Sequence, residues 1–161
     1  MTIVLAFLAL LQNPWDLAKG AAGKATTQKL EQQINTRLLA ESRKNQCSFK
    51  TDTDTLEKGC EKKLRNLVDA LIRAKKQLNS AGVQNFKFEV SGHTDTSGSA
   101  SHNKDLSEKR AKVIVKELVA RGVPENEIVA VGKGSEEPLV KPDETPAKKA
   151  KNRRYEIRVR L

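Results

Sequence analysis

The C-terminal run "YEIRVRL" (residues 155–161) alternates with a period of two, placing Tyr155, Ile157, Val159 and Leu161 on one face and Glu156, Arg158 and Arg160 on the other. "NFKFEVSG" (85–92) repeats the pattern, with Phe86, Phe88 and Val90 opposed to Lys87, Glu89 and Ser91. Strands that are apolar on a single face can be covered by helices on one side only. That excludes a doubly wound fold, whose strands are buried on both faces. With "EIVAVGKG" (127–134) as a third strand, the expected architecture is α+β: a two-layer sandwich with a mixed sheet and helices on one face.

The helices are read from the 3.6-residue period. "CEKKLRNLVDALIRAKKQLNSAG" brings Leu64, Leu67, Val68, Leu71, Ile72 and Leu78 to one side and stops at Gly82. "LSEKRAKVIVKELVARG" turns Leu106, Val113, Ile114 and Leu118 inward and ends at Gly122, ahead of Pro124. "TQKLEQQINTRLLAESRK" carries a narrower stripe of Leu30, Ile34, Leu38 and Leu39. The folded domain already has enough apolar helix faces for one side of its sheet, so this stripe is expected to pack on a second copy and make a homodimer through residues 26–42 and the N-terminal segment, with folding back onto its own sheet as the alternative. Upstream, "DLAKGAAGKATT" shows no apolar period and reads as a linker.

The first eleven residues, "MTIVLAFLALL", carry no charge but fall short of the roughly 20 needed to cross a bilayer. They also lack the basic start and small-residue cleavage site of a signal peptide. Trp15, close to Asn13 and Pro14, suits a membrane interface, so the segment is expected to be a membrane anchor. The domains expected are an apolar anchor at 1–15, a linker with an amphipathic helix at 16–46 and a folded domain at 47–161.

Aromatic residues make up 4% of the 161-residue chain and charged residues 31%, with a net charge of +10. That balance suits an anionic partner, whether nucleic acid, acidic lipid or a wall polymer, or simply a solvated basic surface. There is no aromatic stacking platform for nucleic acid, and none is expected to bind. Cys47 and Cys60 have neither the spacing nor the histidines of a zinc site. The loop between them can be closed by a disulfide, worth on the order of 3 kcal/mol, or the two thiols can stay free. A disulfide is expected.

The segment "FEVSGHTDTSGSASHNKDLSEKRA" (88–111) carries the chemistry. Asp95 lies just past a strand end in a turn rich in Thr, Ser and Gly, and Arg110 follows on the next helix. A carboxylate and a guanidinium at one strand end suit a zwitterion, with Asp95 taking an ammonium and Arg110 a carboxylate. A simple ion pair between the two is the alternative. His93 and His102 are too isolated to hold a metal, no nucleophile and base are paired, and neither enzymatic activity nor a cofactor is expected.

Four ordered blocks sharpen this reading. "VSGHTDTSGSASHNKDLSEKRAKVIVKELVARGV", then "VGKGSEEPLV" and "NRRYEIRV", resemble the OmpA-like peptidoglycan-binding domain, with its G-H-T-D turn, N-x-x-L-S-x-x-R-A helix, G-x-G-x-x-x-P loop and N-R-R strand. The resemblance covers about residues 47–161. It implies that the ligand is the diaminopimelate of a wall stem peptide, with the ammonium on Asp95 and the carboxylate on Arg110. Asn103, Thr94 and Thr96 would support the pocket, and Asn152 with Arg153 or Arg154 would line its edge. "QCSFKTDTDTL" is short and polar where the family has a longer apolar strand, a gap the two cysteines would fill.

The N-terminal run more weakly resembles the membrane helix of MotB-like stator subunits, without that helix's Asp. These resemblances imply a periplasmic domain anchored to the inner membrane, gripping peptidoglycan beside a membrane partner subunit, in a stator of the kind that includes phage-defence complexes. A plain envelope tether is the alternative, or, in a different class, a basic nucleic-acid-binding protein.

Overall fold

A computed structural model of the chain describes residues 14–161. The elements are α1 (Pro14–Lys44), α2 (Glu61–Ser80), β1 (Lys87–His93), α3 (Ala100–Val119), β2 (Ile128–Gly134), α4 (Pro146–Asn152) and β3 (Arg154–Arg160). The sheet order is β2-β1-β3, with β1 parallel to β2 and antiparallel to β3. It is the mixed sheet that the alternating strands require.

Register sorts the two faces. Val90 pairs with Ile157 and Ala130, and Phe88 with Val159 and Ile128, so one face is continuously apolar. The other carries Glu89 opposite Arg158 and Ser91 opposite Glu156. On the apolar side α2 contributes Leu64, Leu67, Leu71 and Leu78, and α3 contributes Ala111, Ile114 and Leu118. Ile72 departs from expectation. One position on from Leu71, it is rotated about 100° away from the sheet and is 58% exposed. Leu106 and Val113 are likewise only half-buried, at the margins of the α3 face.

The approach of α3 is set by glycine. A Cβ at Gly132 would lie 2.6 Å from the carbonyl oxygen of Lys104, and one at Gly92 would strike the backbone of Ser107. These two glycines, paired across β1 and β2, let α3 lie directly on the sheet at the end where the 94–99 turn begins. Ser99 then caps α3 by accepting from the backbone N–H of His102.

The N-terminal third corrects two expectations. The Gly/Ala/Lys stretch read as a linker belongs to α1, which runs unbroken from Pro14. Its alanines favour helix, and proline is tolerated at a helix start, where its missing N–H has no intrahelical partner. The stripe expected to meet a second copy is instead spent within the chain. Ile34 and Leu38 are buried in the core and Leu30 packs at its edge.

Alongside the stripe, α1 covers the open edge of β3. The Asn35 carboxamide donates to the Val159 carbonyl at 3.1 Å and accepts from the Val159 N–H at 2.7 Å. Gln46 does the same for Tyr155, at 2.7 and 3.0 Å. Two side-chain amides thus stand in for a fourth strand and satisfy an edge otherwise open to foreign strands.

The Cys47–Cys60 disulfide is formed, with a Cα–Cα distance of 5.6 Å. Between the two cysteines a single bridge, Phe49 to Leu56, stands where a longer strand was looked for. No helix among the described residues is long and apolar enough to cross a membrane. The proposed anchor lies mostly outside the described residues.

Candidate functional site

Beyond the C-terminal end of β1 the chain enters a cleft of about 1230 Å³. Asp95, Asn103, Arg110 and Arg153 all line it, as do Thr94 and Arg154. Residues far apart in the chain therefore meet at one cleft.

Asp95 is held at both oxygens. One accepts from the Ser97 N–H at 2.9 Å and the other from the Arg153 guanidinium at 2.8 Å. Burial alone would raise its pKa, but the Arg153 and Ser97 hydrogen bonds outweigh burial and hold it below the usual carboxylate range. Asp95 is therefore an anion at neutral pH. Asn103, itself buried, donates to the carbonyls of Ser97 and Asp95 and fixes the turn that presents the carboxylate. The Thr94 N–H binds the Gly134 carbonyl at 2.8 Å, while its hydroxyl is buried without a partner.

Arg110 does not pair directly with Asp95, so the simple ion-pair alternative is not what forms. Its Nε donates to the Thr53 carbonyl at 2.8 Å, and its guanidinium carbon lies 5.1 Å from the centre of the Phe49 ring. Partial burial lowers its pKa, and so does the nearby Arg153 charge, against the pull of Asp52. The guanidinium stays charged. The loop that seats Arg110 is the one closed by the disulfide. His102 on α3 also reaches that loop, at Asp52 Oδ1, 2.9 Å away. Sequence reasoning had assigned this loop only a packing role.

Three expected site residues take other positions. Asn152 is fully buried and lines no part of the cleft. Its oxygen accepts from the N–H groups of Leu139 and Val140, and its amide donates to the Val140 carbonyl and to Asp143. Thr96 likewise lies outside the cleft and binds Asp143 through both its N–H and its hydroxyl. Arg154 reaches the cleft wall, but its guanidinium is committed to Glu156 at 2.9 Å and to the carbonyls of Asn152 and Glu137.

Asp143, missed in the sequence, is the bracket between the turn after β1 and α4. Hydrogen bonds from Thr96 and then from Asn152 hold its pKa down at about 2. A Pro-Asp pair ahead of a capped helix was the available signal, but such pairs are ordinary turn chemistry. Among the described residues no three potential ligands cluster as a metal site.

Comparison with known proteins places this geometry in context. Peptidoglycan-binding protein ArfA of Mycobacterium bovis is 47% identical over 71 residues, 44% of this chain and 22% of ArfA. This chain thus matches a little under a quarter of that relative's length. The peptidoglycan-associated lipoprotein of Burkholderia pseudomallei shares the fold with a TM-score of 0.58 at 23% identity, covering 71% of this chain and 89% of that one. The periplasmic domain of Helicobacter pylori MotB does so with a TM-score of 0.54 at 20% identity, covering 71% and 68%. The OmpA family profile matches residues 48–153, well over half the chain and the whole of the cleft turn, α3 and α4, and the chain belongs to the OmpA family.

Proposed function

We propose that this chain is a non-catalytic module that binds cell-wall peptidoglycan in the envelope, gripping the diaminopimelate of the stem peptide between Asp95 and Arg110. The observation that carries the reading is an ionised Asp95 and a charged, loop-seated Arg110 lining one cleft without pairing to each other. An ammonium and a carboxylate on one carbon demand two opposite charges held apart. ArfA, similar to this chain over 71 residues, is itself a peptidoglycan-binding protein. In its wider setting the module would fix a larger assembly, of the MotB-like stator kind or a simpler tether, to the wall.

Co-sedimentation with purified sacculi tests the grip. Asp95→Ala and Arg110→Ala should each abolish retention, and the double variant should lose no more than either, because one deletion already breaks a two-point contact. Wild-type retention of both single variants would overturn the assignment. Binding should also weaken only modestly with salt. A steep loss would point to polyanion binding through the basic surface instead.

A further inference from the structure

The cleft holds more positive than negative charge at its centre. Arg43, Arg110, Lys151, Arg153 and Arg154 line it against Asp52, Glu57 and Asp95, and Asp95 is already engaged by Arg153. Asp95 has little room for another partner. One oxygen is fixed by Ser97, the other by Arg153, and its side chain is only 12% exposed. Arg153, at 46% exposed, is the more accessible member of the pair.

An ammonium arriving at Asp95 must displace that guanidinium or crowd against it. Either way one carboxylate faces two cations, and the arrangement relaxes only if Arg153 gains an anion of its own. The other carboxylates lining the cleft, Asp52 and Glu57, sit on the disulfide-closed loop, where Asp52 is bonded to His102. The neighbouring positions of α4, Lys149 and Lys151, add further positive charge, with Lys149 already bonded to the Ser97 hydroxyl.

We propose that Arg153 forms a second anion subsite, so that the preferred ligand is a peptide bearing two free carboxylates, one for Arg110 and one for Arg153, beside the ammonium taken by Asp95. The inference rests on the peptidoglycan reading and narrows its ligand class. In a stem peptide the second anion is the α-carboxylate of the γ-linked glutamate next to diaminopimelate, a group that amidation removes. Arg153 is thereby a specificity residue. In the free protein it holds Asp95 as a competitor, and in the complex it reads the ligand's charge.

Titration calorimetry tests this with two synthetic peptides: L-Ala-γ-D-Glu-meso-diaminopimelate blocked as the amide at the carboxyl of its peptide-bonded centre, and the glutamate α-amide of that same blocked peptide. The wild type should bind the free acid about tenfold more tightly than the amide, the scale of one charge-assisted hydrogen bond. In Arg153→Gln the preference should shrink to about twofold or less. The amide itself should bind Arg153→Gln at least as well as it binds the wild type, because its ammonium no longer contends with a guanidinium. Equal binding of the two peptides by the wild type would overturn the proposal, and so would an undiminished preference in Arg153→Gln. Retention of sacculi alongside either result confines the failure to the second subsite, whereas loss of sacculus binding by the wild type refutes the peptidoglycan reading as well.

Discussion

The Arg110 guanidinium stacks over the Phe49 ring at 5.1 Å, so a residue of the disulfide-closed loop positions the cation assigned to the ligand's carboxylate. Phe49 is half-buried and packs at the edge of the core. The Thr53 carbonyl completes the seat. Pre-orienting a flexible guanidinium lowers the entropy lost when it binds.

Phe49→Ala should therefore weaken binding of the zwitterionic tripeptide about two- to fivefold, from a cation–π contact worth roughly 0.5–1 kcal/mol, while sheet and helix content stay unchanged. Calorimetry together with circular dichroism checks both halves. Unaltered affinity in a folded variant would show that the loop does not position Arg110.

The disulfide closes a short loop, with a sequence separation of 13. Replacing both cysteines by serine should lower stability by about 3 kcal/mol on the loop-entropy scale, and should weaken the tripeptide further by loosening the seat of Arg110. Denaturant unfolding measures the first effect. Protein from an oxidising compartment, alkylated without reductant, should carry no label, and labelling at both cysteines would contradict the bridge.

The outward face of the sheet sets the acid response. Burial and the Arg154 charge lower the His93 pKa from 6.5 to about 4, against opposing pulls from Glu156 and Glu137 and with a further push from Lys133. Its Nε2 contacts the Ser91 hydroxyl at 3.2 Å, and its Nδ1 is buried without a partner. The unfolded chain thus holds more protons than the folded one between those values, and stability falls as pH drops from 6.5 to 4. Glu156 adds a second step. Burial would raise its pKa, but Arg154 and then Arg158 hold it at about 2, so its contribution is present above 4.5 and lost as pH falls from there towards 2. Urea midpoints between pH 7 and pH 3 should show both losses. His93→Gln should remove the upper one, on the order of 2 kcal/mol, and an identical decline in that variant would refute the assignment.

The strands, and the placement of Asp95 and Arg110 on one cleft, were legible because each rests on a local rule: period-two alternation, a polar turn at a strand end, one helix after it. Asn152 was misplaced because a family motif names a residue without saying whether it faces ligand or backbone. Here its carboxamide holds the 139–143 loop. Glu156 alternates outward as expected yet is only 2% exposed, because Arg43, Arg154 and Arg158 close over it. Residues 113 positions apart make that cover, and no window of sequence shows them together. The stripe on α1 was visible, but whether its partner is a twin or the chain's own sheet depends on what lies at the sheet edge.

That edge yields the last prediction. Asn35 answers both backbone groups of Val159, and Ile34 beside it is 1% exposed. Removing each should fail differently. Ile34→Ala leaves a cavity and should cost about 2–4 kcal/mol, with the protein still monodisperse below its melting point. Asn35→Ala should cost about 1–3 kcal/mol, because it strips two partners from the backbone of Val159, a buried residue, and it also uncovers an N–H and a C=O on an edge strand, the template for pairing with another chain. Its distinguishing mark should be concentration-dependent association, seen by light scattering in folded protein and absent from Ile34→Ala at matched stability. If both variants associate alike, the loss of stability alone drives association, and the carboxamides of α1 have no special part in guarding the sheet.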